Sequence, residues 1–99
     1  PTGDFDFADW RVEPARQSMR HGAGDVVALR EREVALLRWF AGHPGEVFTR
    51  DFLFAKFWGV SFDGNDSTLS IAILRLREKL GESAAGLKAV RGTGYVWRP

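Results

Sequence analysis

Residues 65–80 read NDSTLSIAILRLREKL. Leu69, Ile73, Leu76 and Leu80 recur at i, i+4, i+7 and i+11, which puts all four on one face at 3.6 residues per turn. The spacing predicts a helix from Asp66 to Leu80. Asp66, followed by Ser67 and Thr68, offers an N-cap side chain, and Gly81 supplies the stop. The opposite face holds Ser67, Thr68, Ser70, Ile71, Leu74, Arg75 and Glu78, with Arg77 and Lys79 on its flanks. An apolar anchor on one side, with hydroxyls and guanidinium groups on the other, suits a helix that lies in a DNA groove. Taken alone, the same pattern also describes an ordinary amphipathic surface helix.

Charge separates those two readings. The formal net charge of the chain is only +1. Residues 1–66 hold eight Lys/Arg against eleven Asp/Glu, whereas residues 67–99 hold six (Arg75, Arg77, Lys79, Lys88, Arg91, Arg98) against two (Glu78, Glu82). The basic side chains therefore gather around the last helix and the C-terminal residues beyond it, which points that end of the chain toward a polyanion.

The chain of 99 residues has the length of one domain, and 44% hydrophobic residues supply its core. There are no cysteines, so disulfide frameworks and thiolate metal sites are excluded, and a reducing, cytosolic setting is compatible with the composition. No apolar run approaches the length of a membrane span. A sequence opening on Pro1 rather than methionine points to a fragment or a processed chain.

Upstream, Phe5 and Phe7 alternate with Asp4 and Asp6, and Trp10 and Val12 with Arg11 and Glu13, the period-two pattern of half-buried strands. Pro14 ends a strand or marks an edge. Residues 17–20 and 26–29 flank the glycine-rich turn His21-Gly22-Ala23-Gly24-Asp25, so residues 1–29 read as a small antiparallel sheet. Glu31 to Ala41 reads as a helix with Val34, Leu37 and Ala41 on its stripe, widened by Leu36 and Phe40. Its weak point is Arg30, which stands where a capping side chain belongs. Val47-Phe48 is a short extended piece. Thr49 caps a short helix ending near Trp58 and Gly59, with Leu53 and Phe57 as its core pair and one of Phe52 and Phe54 left outside. A loop with an Asp63-Gly64 turn leads to the Asp66 helix. Ser83 to Gly86 connects onward, and Leu87–Arg91 and Tyr95–Trp97 form a closing hairpin around Gly92-Thr93-Gly94.

Catalysis has no support in these residues. His21 and His43 sit beside turn glycines as exposed loop residues without metal-ligand spacing. The two Gly-x-Gly stretches are accounted for by hairpin turns, no Ser or Thr has a base that a triad would need, and no cofactor is implied.

Sheet, three helices and hairpin is the order of a winged helix-turn-helix, an α+β fold. Arg75-Leu76-Arg77-Glu78-Lys79-Leu80 followed by Ala89-Val90-Arg91-Gly92-Thr93-Gly94-Tyr95 resembles the RLRxKL…TVRGxGY pattern of the OmpR/PhoB-type DNA-binding domain. Leu36-Leu37, then Pro44-Gly45-Glu46-Val47-Phe48-Thr49-Arg50-Asp51, Leu53 and Trp58-Gly59, resemble its LL…PGxVxSRxxL…VWG segment, and the leading strands fit its N-terminal sheet. The resemblance covers nearly the whole chain, as one domain with a sheet over 1–29, helices over 30–80 and a wing over 87–98. It implies that Ser67 to Leu80 is the recognition helix, with Thr68, Ile71 and Arg75 facing bases and Arg77 reaching phosphate. Arg50 and Trp58 would touch the DNA backbone, Arg91 would enter the minor groove, and Thr93 and Tyr95 would meet phosphate beside it. Trp58 and Tyr95 are equally readable as core residues, and Thr68 as support for the helix cap. Residues 59–65 would meet RNA polymerase.

Departures from the pattern lie on the recognition helix. Ser67 stands where many members carry Arg, and Ala72 and Leu74 replace polar residues, so Leu74 and Ile71 leave an apolar streak on the groove side. Fewer phosphate contacts imply weaker monomer binding and dependence on dimers at tandem sites. The reading is a sequence-specific, double-stranded-DNA-binding effector domain of a bacterial two-component regulator, cytoplasmic, without membrane contact by this chain. A phosphorylatable receiver domain would precede it in the full protein. The alternatives are a ToxR/CadC-like membrane-anchored regulator, which the opening strands suit, and a diverged winged helix that binds protein through Ile71, Leu74, Phe52 and Phe62.

Overall fold

The period-two stretches at the start of the chain do fold as strands. In a computed structural model that describes residues 3–59 and 67–99, β1 (Phe5–Phe7), β2 (Trp10–Glu13), β3 (Ser18–His21) and β4 (Asp25–Ala28) form one antiparallel sheet in sequence order. The register pairs Phe7 with Trp10 and Val12 with both Phe5 and Met19, so one face is apolar across β1 and β2 and into β3, with His21 and Asp25 at its edge. The other face carries Asp6, Arg11 and Arg20, with an Arg11–Asp6 ion pair of 3.0 Å across β1 and β2. Pro14 ends β2 and opens a 3₁₀ turn, Pro14–Arg16. Gln17 leaves that turn in the left-handed region rather than in a strand, and its carbonyl accepts the Leu29 N–H at 2.7 Å.

Helix α1 (Glu31–Gly42) completes the first of two compact units, Pro1–Gly42 and His43–Pro99. It packs on β1: the Arg38 guanidinium donates to the Gly3 carbonyl at 2.9 Å and lies 4.8 Å from the Phe5 ring centroid. The stripe buries Val34, Leu36, Leu37 and Phe40, while Ala41 is half-buried. The start at Arg30 is not left uncapped. The buried Glu33 carboxylate reaches back and accepts the Arg30 N–H at 2.7 Å, which is one half of a capping box.

The second unit is organised by a sheet that the sequence shows only in part. β5 (Val47–Thr49) pairs with β7 (Gly94–Trp97), which also pairs with β6 (Leu87–Val90), in the order β5-β7-β6. The wing is therefore three-stranded, not a free hairpin, and its central strand is buried at all four positions. That burial explains why Tyr95-Val96-Trp97 does not alternate. The approach is close: a Cβ on Gly94 would meet the Phe48 carbonyl oxygen at 1.9 Å.

Helix α2 (Arg50–Trp58) starts at Thr49, whose hydroxyl accepts the Phe52 N–H at 3.1 Å, and stops at Gly59 in the left-handed region. Its inward pair is Leu53 and Phe54, not Leu53 and Phe57. Phe57 lies on the same arc but in the last turn, where it is only half-buried. Phe52 is the ring left outside, stacked on Phe48 at 5.5 Å.

Helix α3 spans Thr68–Leu80 and packs on α2. It buries Leu69, Ile73, Leu76 and Leu80, as the spacing requires. It begins two residues later than expected. Ser67 is the N-cap through its backbone, its carbonyl accepting the Ile71 N–H at 2.9 Å. With ψ at 5°, Ser67 is not extended, and its hydroxyl makes no capping bond. The expected cap at Asp66, the Asp63-Gly64 turn, Phe62 and the 59–65 loop beyond Gly59 lie outside the described residues. Gly81 closes α3, and a 3₁₀ segment, Gly81–Gly86, leads into β6.

Candidate nucleic-acid interface

Most of the side chains expected to contact DNA fall on or beside two structural features of the second unit, and Trp58 on neither. The first is the outward arc of α3. Four buried residues fix the rotation of this helix about its axis. Ile71 therefore sits near the middle of the exposed arc, with Leu74 and Arg75 to either side and Glu78 two turns on. Ile71 is 43% and Leu74 58% exposed. Thr68 and Arg75 are exposed, Ser70, Arg77 and Lys79 are half-buried at the flanks, and Ser67 is exposed at the cap. Arg77 and Lys79 lie in the last turn, where the helix dipole favours cations.

The second feature is the turn between β6 and β7. Arg91, Gly92 and Thr93 are all exposed there, outside both strands. The Thr93 N–H donates to the Val90 carbonyl at 2.9 Å, and Gly92 takes φ of +73°. Thr93 is also bonded from behind, because its carbonyl accepts the Arg50 N–H at 3.2 Å. Since Arg50 is the first residue of α2, the wing turn and the start of that helix share a hydrogen bond. The Arg50 guanidinium lies 6.0 Å from the Tyr95 ring centroid. Arg50, Thr93 and Tyr95 are thus brought together by the β5–β7 pairing. Arg50 and Thr93 are exposed and Tyr95 is buried, at 5%. Trp58 is half-buried at the far end of α2, its ring parallel to that of Phe54 at 5.4 Å.

The histidines depart in different ways from the exposed loop residues that the glycine-rich turns suggest: His21 belongs to a strand, and His43 is in a loop but half-buried. His21 closes β3 and is half-buried. Its Nε2 lies 2.7 Å from an Asp9 carboxylate oxygen, and its ring tilts against Trp10 at 5.0 Å. The hydrogen bond with Asp9 is the main reason its pKa rises above the ordinary imidazole value; desolvation opposes the rise, and the negative charges of Asp9 and Asp25 add to it. His43 is half-buried with its ring edge-on to Phe48 at 5.5 Å. The Asp9–His21 pair leaves no mark in a period-two pattern, because it forms only when the β1–β2 turn folds beside the end of β3.

Among the described residues, no group of three metal-ligating side chains comes together. Within them, no helix is long and apolar enough to cross a membrane.

Comparison with known proteins adds the family. Residues 24–97 match the model of "Transcriptional regulatory protein, C terminal". The heme response regulator HssR of Staphylococcus epidermidis is 39% identical over 69 residues, covering 68% of this chain and 31% of that protein. The chain thus spans about a third of the length of that relative. Among solved structures, the Klebsiella pneumoniae RstA DNA-binding domain in complex with the RstA box superposes with a TM-score of 0.81 and 33% identity, covering 98% of both chains. The DNA-binding domain of Escherichia coli CadC gives a TM-score of 0.80 and 29% identity over 95% of this chain and 91% of that one. A match over most of the chain, with α3, the β5-β7-β6 wing and the leading sheet all in place, shows that this protein belongs to the C-terminal domain family of transcriptional regulatory proteins, the OmpR/PhoB-type winged helices.

Proposed function

We propose that the chain is a sequence-specific, double-stranded-DNA-binding domain, the effector end of a bacterial two-component transcription regulator. One observation carries the reading. The arc of α3 that its own core residues turn outward holds Arg75, and the wing turn of the same unit holds Arg91, in the stretch where basic residues outnumber acidic ones six to two. A guanidinium on an exposed helix face can fork to guanine in the major groove, and one at a hairpin tip fits the minor groove. Arg50, Thr93 and Arg77 serve as phosphate contacts, Trp58 lends its indole N–H, and Tyr95 holds Arg50 in place. The superposition on a domain solved with its DNA box supports this assignment.

The chain acts by binding and has no enzymatic activity. We read residues 1–99 as a single DNA-binding domain, supported by a solved domain of the same extent. We extend the reading to a preceding receiver domain, for which similarity to a response regulator is the support; dimers on tandem half-sites and a cytoplasmic setting rest on the family resemblance. Contact of the 59–65 segment with RNA polymerase rests on the family resemblance. CadC shares the fold, so the fold is common to both kinds of regulator; identity with a response regulator over 68% of the chain favours the two-component reading.

The test is selection from a random duplex pool, then anisotropy across a salt series for wild type, Arg91→Ala and Arg75→Ala. An enriched motif, affinity that falls with salt, a slope reduced by roughly one in Arg91→Ala and one base position relaxed in Arg75→Ala are expected. If no motif emerges and both variants match wild type at low salt, the reading is wrong.

A further inference from the structure

The outward arc of α3 carries two large aliphatic side chains among its charged ones. Ile71 and Leu74 are 43% and 58% exposed, and the same helix had a full apolar face available for its core. Large aliphatic side chains in water cost free energy that a polar residue there would avoid. Whatever covers them must be apolar at the point of contact. It must also tolerate Arg75 beside them and the basic excess of residues 67–99 around them, which favours a polyanion over an ordinary protein surface. Duplex DNA offers one apolar group on the floor of its major groove, the C5-methyl of thymine.

On the reading of α3 as the groove helix, we propose that Ile71 and Leu74 are specificity residues that read the methyl groups of two thymines on neighbouring base pairs. The spacing agrees. Residues three apart on a helix are separated by about 4.5 Å along its axis, which lets their side chains reach neighbouring base pairs stacked roughly 3.4 Å apart. Arg75 then reaches a guanine next to this pair of thymines. Glu78, about one turn beyond Arg75, brings a negative charge that disfavours phosphate and suits a cytosine amino group. Affinity at these two positions comes from shape and apolar contact, so it persists at salt concentrations that weaken the phosphate contacts.

Deoxyuridine separates this idea from the binding reading beneath it, because uracil keeps every hydrogen bond of thymine and lacks only the methyl. Duplexes carrying the selected motif are titrated with each thymine in turn replaced by deoxyuridine. Two neighbouring positions should each lose about fourfold in affinity. Ile71→Ala should abolish the sensitivity at one of them and Leu74→Ala at the other, with both variants folded by circular dichroism, since both side chains are exposed. If uracil is neutral at every position, or if both alanine variants keep the full sensitivity, the thymine assignment is overturned while a salt-dependent motif leaves DNA binding standing. If no salt-dependent motif exists at all, both fall together.

Discussion

At the scale of single residues, glycine and histidine carry the clearest expectations. Gly92 and Gly94 look alike in the sequence, two glycines around one threonine, but they are needed for different reasons. Gly92 has open space around it and a left-handed backbone, so Gly92→Ala should cost about 1 kcal/mol of conformational strain. Gly94 faces backbone, with the Phe48 carbonyl where a Cβ would stand, and backbone does not yield as a flexible side chain does. Gly94→Ala should therefore cost roughly 2–3 kcal/mol, and urea midpoints of the two variants would rank them. His21 gives a pH prediction. Its raised pKa means that protonation favours the folded chain, so its contribution is complete below about 6.5, the ordinary imidazole value, and is lost as pH rises through the raised one. An NMR titration should place His21 above that ordinary value and Asp9→Asn should bring it down. The gap in melting temperature between wild type and Asp9→Asn should close as pH rises.

At the scale of elements, the helices were legible wherever a periodic stripe met its caps. Leu69, Ile73, Leu76 and Leu80 identify α3, and Thr49 and Gly59 mark both ends of α2. The start of α1 was not legible as a capped end, because Arg30 has no capping oxygen and the bond comes from Glu33 three residues on. That half-box leaves room for improvement. Arg30→Ser would add the reciprocal bond and should raise stability by about 1 kcal/mol, whereas Glu33→Ala should lower it by a similar amount, both read from chemical denaturation. β5 was legible only as an extended piece. Three residues carry too little alternation to announce a strand, and its partner lies in the last stretch of the chain. Of the candidate interface, the outward face of α3 could be read from spacing; Arg91 at the tip could not, because the pattern puts it at the end of the strand and only the family resemblance marks it for DNA. The grouping of Arg50, Thr93 and Tyr95 could not, because only the β5–β7 register brings them together.

At the scale of the whole molecule, a net charge of +1 on a chain that is basic at one end and acidic at the other predicts modest affinity for a single copy on DNA. Two copies on tandem half-sites would compensate. Centres about 10 base pairs apart place both copies on one side of the duplex, so inserting about 5 should abolish cooperative binding and inserting about 10 should restore part of it, as gel-shift titrations would report. The sheet of the second unit has a consequence in time as well. Its central strand, β7, is the last of that unit's elements to be synthesised, and β5, β6 and the Arg50–Thr93 link all depend on it. On a ribosome adding roughly 5–20 residues per second, the four-stranded sheet of the first unit can form while translation continues. The second unit has to wait with Phe48 and its neighbours uncovered until Tyr95 emerges. The part of the protein that we assign to DNA is therefore the part that exists only after translation has passed its end, and a nascent chain stalled before β7 would hold a finished sheet and no reading head.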